Sequence, residues 1–171
     1  MAQATTQETI CIRSESWGVT YSAKGLCRLY FPPFERVSTV SADPSPWSPM
    51  VRSWLEAYWE THLRRPSRPL PPLDLESGTP FQQAVWRALL KIPFGTRLSY
   101  RELAAKMGSP NAARAVGSAC GRNPIPLLIP CHRVVASSGG LGGFSAGLKW
   151  KERLLQWEAL QAESSRACHH A

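Results

Sequence analysis

Ser99-Tyr100-Arg101-Glu102-Leu103-Ala104-Ala105-Lys106-Met107-Gly108-Ser109-Pro110-Asn111-Ala112-Ala113-Arg114-Ala115-Val116-Gly117-Ser118-Ala119-Cys120-Gly121 is the stretch whose reading decides the fold. Ser99 can cap a helix, with Glu102 three residues on as the capping-box partner, and Gly108 can end it. Ser109-Pro110 then starts a second helix, predicted to run to about Cys120 before Gly121. Two short helices joined through Gly108-Ser109 have the layout of a helix-turn-helix. In the second helix nearly every side chain is small, apart from Arg114 and Val116. A helix that reads base edges in the major groove needs several long polar side chains, and this one lacks them. Its composition fits shape-driven contact, as in a minor groove, with one long cationic probe. It fits close packing inside a core equally well.

The flanking segments are helical too. Upstream, Thr79-Pro80-Phe81-Gln82 forms a second capping box. Phe81, Ala84, Val85, Ala88 and Leu89 then share an apolar face, with a stop near Ile92-Pro93. Downstream, a helix is predicted from about Leu148 to Glu158 or beyond. Leu148, Lys151, Leu154, Leu155 and Glu158 share one of its faces, and an inward carboxylate there needs a partner. Trp150 and Trp157 read as packing residues.

The first half reads differently. Thr9–Arg13, Gly18–Ser22 and Leu26–Phe31 are short and β-rich, with turns at Ser14–Trp17 and Ala23–Gly25. Val37–Trp47 reads as a Ser/Pro-rich loop. Ser48 is the expected cap of a helix carrying Val51, Trp54, Leu55, Tyr58, Trp59, His62 and Leu63 at helical spacing, with His62 as a packed or rim residue. Residues 64–78 form a Pro-rich linker. The expected division is therefore residues 1–78, a small α/β domain, and residues 79–171, a mostly α domain.

Charge follows the same division. Residues 1–79 hold 8 Lys/Arg and 8 Asp/Glu, whereas residues 80–171 hold 12 Lys/Arg against 4 Asp/Glu, so the net +8 belongs to the second part. Such a bias points to a polyanion, with nucleic acid first. The five cysteines are odd in number and match no zinc or knot spacing, so reduced thiols are expected. Cys11 and Cys27 are too few for a structural zinc site, Cys168-His169-His170 reads as a polar terminus, and no metal is expected. Met1–Glu8 is polar and lacks the layout of a secretory signal, and no run suits a membrane span. The expectation is a cytoplasmic protein, nucleoid-associated if prokaryotic, with no membrane partner.

After Asn123-Pro124-Ile125-Pro126 comes the apolar run Leu127-Leu128-Ile129, which leads into Pro130-Cys131-His132-Arg133-Val134-Val135. A thiol beside an imidazole and a guanidinium is a candidate nucleophile, since neighbouring positive charge favours thiolate. Successive side chains of an extended strand point apart, so direct Cys–His contact requires a turn or a bridging water. Pro130-Cys131-His132-Arg133-Val134, preceded by Arg114-Ala115-Val116-Gly117 and Asn123-Pro124, resembles the O6-alkylguanine-DNA alkyltransferases (methylated-DNA–protein-cysteine methyltransferases). The likeness covers about residues 79–160. It takes in Phe81–Trp86, Ser99-Tyr100, Ala112–Gly117, Asn123–Val135 and Gly142–Glu158.

The resemblance implies a small ribonuclease-H-like α/β domain, with an antiparallel sheet and helices, followed by a mostly α, winged-helix-like domain with the helix-turn-helix. It implies that Cys131 takes the alkyl group from guanine O6 in one irreversible step on double-stranded DNA containing O6-alkylguanine; O4-alkylthymine is left open as a second substrate. His132 would draw the thiol proton through a water, and Glu158 would orient and charge the imidazole. Asn123 would hold the turn around the site, and Tyr100 would give a proton to the leaving guanine. Ser145 would bond near O6, the backbone around Cys131 and Val134 would accept from the exocyclic amine, and Gly142 and Phe144 would line the substrate loop. Phe144 stands where many members carry Tyr. Arg114 would fill the space of a flipped nucleotide, with Ala112, Ala113, Ala115, Gly117, Ser99 and Arg101 against the DNA. The product is a thioether that water cannot cleave, so one molecule acts once, without a cofactor. A monomer is expected, with cooperative binding along DNA left open.

Three other readings compete with this one. A non-catalytic binder of alkylated DNA is disfavoured by the presence of Cys131. A cysteine hydrolase using Cys131 and His132 lacks an evident oxyanion-hole loop. A transcriptional regulator is disfavoured by the small-residue helix.

Overall fold

A computed structural model describes residues 5–35, 44–60 and 69–167. Contacts cluster into two compact units, Met1–Ser77 and Gly78–Ala171.

The first unit is built on an antiparallel sheet in the order β1 (Thr6–Ile12), β2 (Glu15–Ser22) and β3 (Gly25–Tyr30). Pairings Ile10↔Trp17 and Glu8↔Val19 place alternate residues on one face, and Ile10, Ile12, Trp17, Val19, Tyr21, Leu26 and Leu29 are buried there. Helix α1 (Ser48–Tyr58) contributes Val51, Trp54, Leu55, Ala57 and Tyr58 to the same core.

Several expectations for this unit need correction. The first hairpin turns on two residues, Arg13 (φ 50°) and Ser14 (φ 66°), so β1 starts earlier than Thr9 and Glu15–Trp17 belong to β2. Tight hairpin turns of this kind usually announce themselves with Asn-Gly or Asp-Gly, and Arg-Ser carries no such mark. Ser48 is not the cap of α1. The capping position is Trp47, without a side-chain bond, and Ser45 supports the entry instead, its Oγ accepting from Trp47 N (3.3 Å) and its carbonyl from Ser48 N (3.0 Å). His62, Leu63, residues 37–43 of the expected loop and residues 64–68 of the expected linker lie outside the described residues.

The rest of the Pro-rich stretch is held against the sheet. Leu26 N donates to Pro72 O (2.9 Å), Asp74 N donates to Leu26 O (2.8 Å), and buried Ser22 donates to Asp74 (2.5 Å). Lys24 pairs with Glu76. Prolines cannot donate to a ladder, which hides such an edge pairing in the sequence.

The second unit runs α2 (Pro80–Leu89), β4 (Leu98–Ser99), α3 (Tyr100–Lys106), α4 (Ala113–Gly121), β5 (Val134–Val135) and α5 (Leu148–Ala167), with short 3₁₀ turns at Pro110–Ala112 and Cys131–Arg133. Both capping boxes form, Thr79 with Gln82 and Ser99 with Glu102, and Gly108 ends α3 at φ 74°. The inner face of α2 is Val85, Trp86 and Leu89. Phe81 and Ala84 point outward, while the Trp86 indole is buried and donates to Ala119 O (2.9 Å). Leu148 is likewise exposed, at the outer start of α5. Strands β4 and β5 pair in parallel, Leu98↔Val134 and Ser99↔Val135, tying the start of α3 to the segment after Cys131. Among the described residues no helix is long and apolar enough to cross a membrane.

Gly25 tests the pinned edge. Its φ is +145°, and a Cβ there would lie 2.3 Å from Pro72 O. Gly25→Ala should destabilise the protein by about 1–3 kcal/mol, read as a lower urea midpoint.

Candidate active site around Cys131

The route to Cys131 is a rigid turn. Leu127 sits at φ +81°, a conformation costly for a branched residue, and Asn123 braces the segment. Asn123 Oδ1 accepts from Ile125 N (3.0 Å), and Nδ2 donates to Ile129 O (2.8 Å) and to Cys131 Sγ (3.1 Å). Ile125, Leu127, Leu128 and Ile129 are all buried, so the apolar run anchors the turn by its own burial.

Cys131–Arg133 forms a 3₁₀ turn rather than a strand, which turns consecutive side chains toward one neighbourhood. His132 is fully buried, and its ring nitrogen Nε2 lies 2.8 Å from Glu158 Oε1. Arg133 grips the same carboxylate, with Nη2 to Oε1 at 2.8 Å and Nε to Oε2 at 3.0 Å, and its Nη1 donates to Ile92 O (2.6 Å). Gly95 N donates to Glu158 Oε2 (2.9 Å). The inward glutamate of the sequence pattern therefore has both His132 and Arg133 as partners. His132 Nδ1 is buried and has no hydrogen-bond partner among the described residues.

These contacts set the protonation states. Burial pushes Glu158 upward, but the bond from His132 and the Arg133 guanidinium outweigh it and hold the carboxyl down at about 2. Burial pushes His132 below its usual range; Glu158 pulls it back, while Arg133 and Lys151 push it further down. Cys131 is 2% exposed, and burial pushes its thiol up to about 11 despite the Asn123 bond and the nearby Lys151 charge. Burial therefore works against the resting thiolate expected from adjacent His132 and Arg133, and against an imidazole charged by Glu158. Burial disfavours the charged imidazole, and the Arg133 charge is engaged by Glu158.

Lys151 is the residue that sequence reasoning missed. It is fully buried, and its Nζ donates to Val134 O (2.6 Å) and Gly143 O (3.2 Å) and lies 5.8 Å from the Tyr100 ring centroid. Its place between Leu148 and Leu154 on the apolar face was the available signal, since a lysine at an inward position needs acceptors. Val134 O, expected to receive an exocyclic amine, already accepts from Lys151, and Cys131 O accepts from Val134 N.

Tyr100 is half-buried at the start of α3. Burial pushes its hydroxyl up, and a hydrogen bond with the Gly143 backbone pulls the other way. A Cβ on Gly142 (φ +67°) would lie 2.6 Å from the Tyr100 hydroxyl, so only glycine lets the loop approach this closely. The Phe144 ring meets His132 edge-on with centroids 6.4 Å apart, and Ser145 is exposed. On α4, Val116, Ala119 and Cys120 are buried while Arg114, Ala115 and Ser118 are exposed; Ala112, Ala113 and Gly117 are half-buried. The small-residue helix therefore packs by one face and presents the other. Arg101, Lys106 and Arg122 are exposed on and beside the same two helices. Ser99 Oγ is occupied as the α3 cap, accepting from Glu102 N (3.1 Å). No disulfide and no cluster of three metal-ligating side chains occurs among the described residues.

Comparison with known proteins follows the same outline. Residues 80–160 match the family described as 6-O-methylguanine DNA methyltransferase, DNA binding domain. A methylated-DNA–protein-cysteine methyltransferase of Mycobacterium tuberculosis is 53% identical over 90 residues, 53% of this chain and 54% of that protein. One of Methanosarcina barkeri is 48% identical over 104 residues, 61% of this chain and 63% of that protein. The matched stretch thus spans about half or somewhat more of these curated relatives. Among solved structures, the M. tuberculosis OGT in complex with DNA superposes with TM-score 0.73 at 37% identity, covering 91% of this chain and 94% of that one. The O6-methylguanine-DNA methyltransferase of Pyrococcus kodakaraensis gives TM-score 0.65 at 26% identity, covering 91% and 99%.

The buried carboxylate makes the fold acid-sensitive. Glu158 moves from 4.5 unfolded to about 2 folded, so its contribution is complete above pH 4.5 and is lost as pH falls through about 2. Neutral His132 adds a loss that begins below its unfolded value, near pH 6.5. Urea unfolding of the wild type should lose about 3 kcal/mol between pH 4.5 and 2 that Glu158→Gln, less stable throughout, does not lose. Equal slopes for the two proteins would contradict the assignment.

Proposed function

The chain belongs to the methylated-DNA–protein-cysteine methyltransferase family, and from that premise we propose that it repairs O6-alkylguanine in double-stranded DNA by moving the alkyl group to its own Cys131. The observation that carries this reading is the buried thiol held by Asn123 beside an imidazole whose far nitrogen is fixed on Glu158.

The chemistry follows from those contacts. Glu158 accepts from Nε2–H, which leaves the Nδ1 lone pair of neutral His132 as the base. No hydrogen bond joins Cys131 Sγ to the imidazole among the described residues, so the thiol proton reaches Nδ1 through a water. The sulfur then forms its bond to the alkyl carbon as the carbon–O6 bond breaks, and that electron pair stays with guanine. Tyr100 supplies the proton that neutralises the departing base. Cys131 ends as a thioether, which has no carbonyl for water to attack, so the protein acts once. A thiol that ionises only during transfer is protected from adventitious oxidation between encounters.

Access requires the target nucleotide to leave the stack, because a buried sulfur cannot reach into a duplex. Exposed Arg114 on the small-residue face of α4 fills the space left behind, and the exposed Arg101, Lys106 and Arg122 meet phosphates. Gly142, Phe144 and Ser145 border the extruded guanine. The protein works as a monomer without metal or cofactor, in the compartment that holds the DNA.

Intact-mass measurement after mixing with a duplex carrying one O6-methylguanine should show a gain of one methyl group, mapped to Cys131, with no second turnover. Tight lesion binding without a mass change would select a non-catalytic reader instead. Arg114→Ala should slow repair of duplex more than reaction with free O6-benzylguanine; equal slowing would remove its role in flipping. Because proton transfer occurs within a neutral thiol–imidazole pair, the transfer rate should be flat from neutral pH to about pH 9, below the thiol's own ionisation at about 11, and should fall in acid as His132 becomes protonated. A rate that instead climbs tenfold per pH unit across that range would mean pre-formed thiolate is the reactant.

A further inference from the structure

Arg133 lies beside the carboxylate that also holds His132. Its guanidinium is nearly buried, with the side chain 10% exposed, and it grips Glu158 with Nη2 and Nε on the carboxylate that also holds His132. The third arm, Nη1 to Ile92 O, fixes the plane of the fork, and the Phe94 ring lies 5.5 Å from its central carbon. A buried carboxylate facing an imidazole ordinarily draws a proton onto the ring, because the ion pair is then the favoured state. An imidazolium at His132 could not accept anything from Cys131.

We propose that Arg133 is a positioning residue for the acid–base step: by satisfying the charge of Glu158 it leaves His132 neutral, with Nδ1 open to the thiol proton. The proposal rests on the alkyl-transfer reading for its consequence, and on the Arg133–Glu158–His132 geometry for its cause. The groups that bear on the imidazole are Glu158 and Lys151 from α5 and Cys131 and Arg133 from its own turn. Glu158 raises its proton affinity, and burial, Arg133 and Lys151 lower it. Arg133 is the member of this set that touches the carboxylate itself, so its loss acts on His132 through Glu158.

The test uses the full chain as wild type, Arg133→Met and Arg133→Lys, each shown folded by its thermal melt, with Arg133→Gln replacing Arg133→Met should the latter not fold. Two quantities are read between pH 5 and 9. One is the single-turnover rate with O6-benzylguanine. The other is the titration of His132 by ¹³C-labelled histidine, assigned by its loss in His132→Gln. In Arg133→Met the acid limb of the rate and the His132 midpoint should both move up by about one pH unit, a tenfold lower rate at any pH below the limb. Arg133→Lys, which keeps the charge, should stay near the wild type. A folded neutral variant whose His132 midpoint does not move overturns the proposal, whatever happens to the rate. So does a wild-type midpoint above the ordinary value of 6.5. If the wild type transfers nothing from the guanine, the alkyl-transfer reading fails, and the titration alone still decides the role of Arg133.

Discussion

A carboxylate that is 1% exposed keeps its charge only if other donors replace the water it has given up, and Glu158 receives at least four such bonds. Those donors come from two places: the 3₁₀ turn Cys131–Arg133, through His132 and Arg133, and the backbone at Gly95. One side chain on α5 therefore fixes the turn that carries the nucleophile, the loop that follows α2 and the hydrogen-bonding sense of the imidazole. Removing a partner from such a set leaves an uncompensated buried charge, so the active-site geometry and the integrity of this unit are the same constraint.

The second constraint is the low exposure of the thiol itself. Burial raises its proton affinity, while Asn123 and Lys151 work against that. On the proposed reading, the result is a nucleophile held in place and chemically quiet until a base removes its proton. Lys151 also joins Val134 O to Gly143 O, the two ends of the segment that includes Gly142. The fit between Gly142 and the Tyr100 hydroxyl has no room for a methyl group, which ties that segment to the start of α3. Position, rather than standing charge, prepares this site.

Much of this was legible in the sequence where local rules act. The two capping boxes, the Gly108 stop and the helix-turn-helix follow from side chains that bond to their own backbone within three residues. Glu158 was flagged because an inward carboxylate breaks an apolar pattern, and Lys151 broke it in the same way without being read. What could not be read depended on distant pairing or on unmarked backbone. Arg13-Ser14 turns a hairpin without the usual residues, Pro72 accepts a sheet bond across the chain, and the inner face of α2 takes in Trp86, bonded to the Ala119 carbonyl, and leaves Phe81 exposed. The environment of Cys131 is not legible because adjacency in sequence says nothing about where a charge is engaged. Arg133 is next to His132, yet its guanidinium is turned to Glu158.

The most direct measurement is the nitrogen spectrum of the His132 ring, taken with ¹⁵N-labelled histidine in the unreacted protein at pH 7.5. The account predicts a neutral ring with its proton on Nε2, facing Glu158, and a bare Nδ1 on the other side. A ring protonated on Nδ1 alone, or on both nitrogens, would contradict it, because the thiol would then have no acceptor.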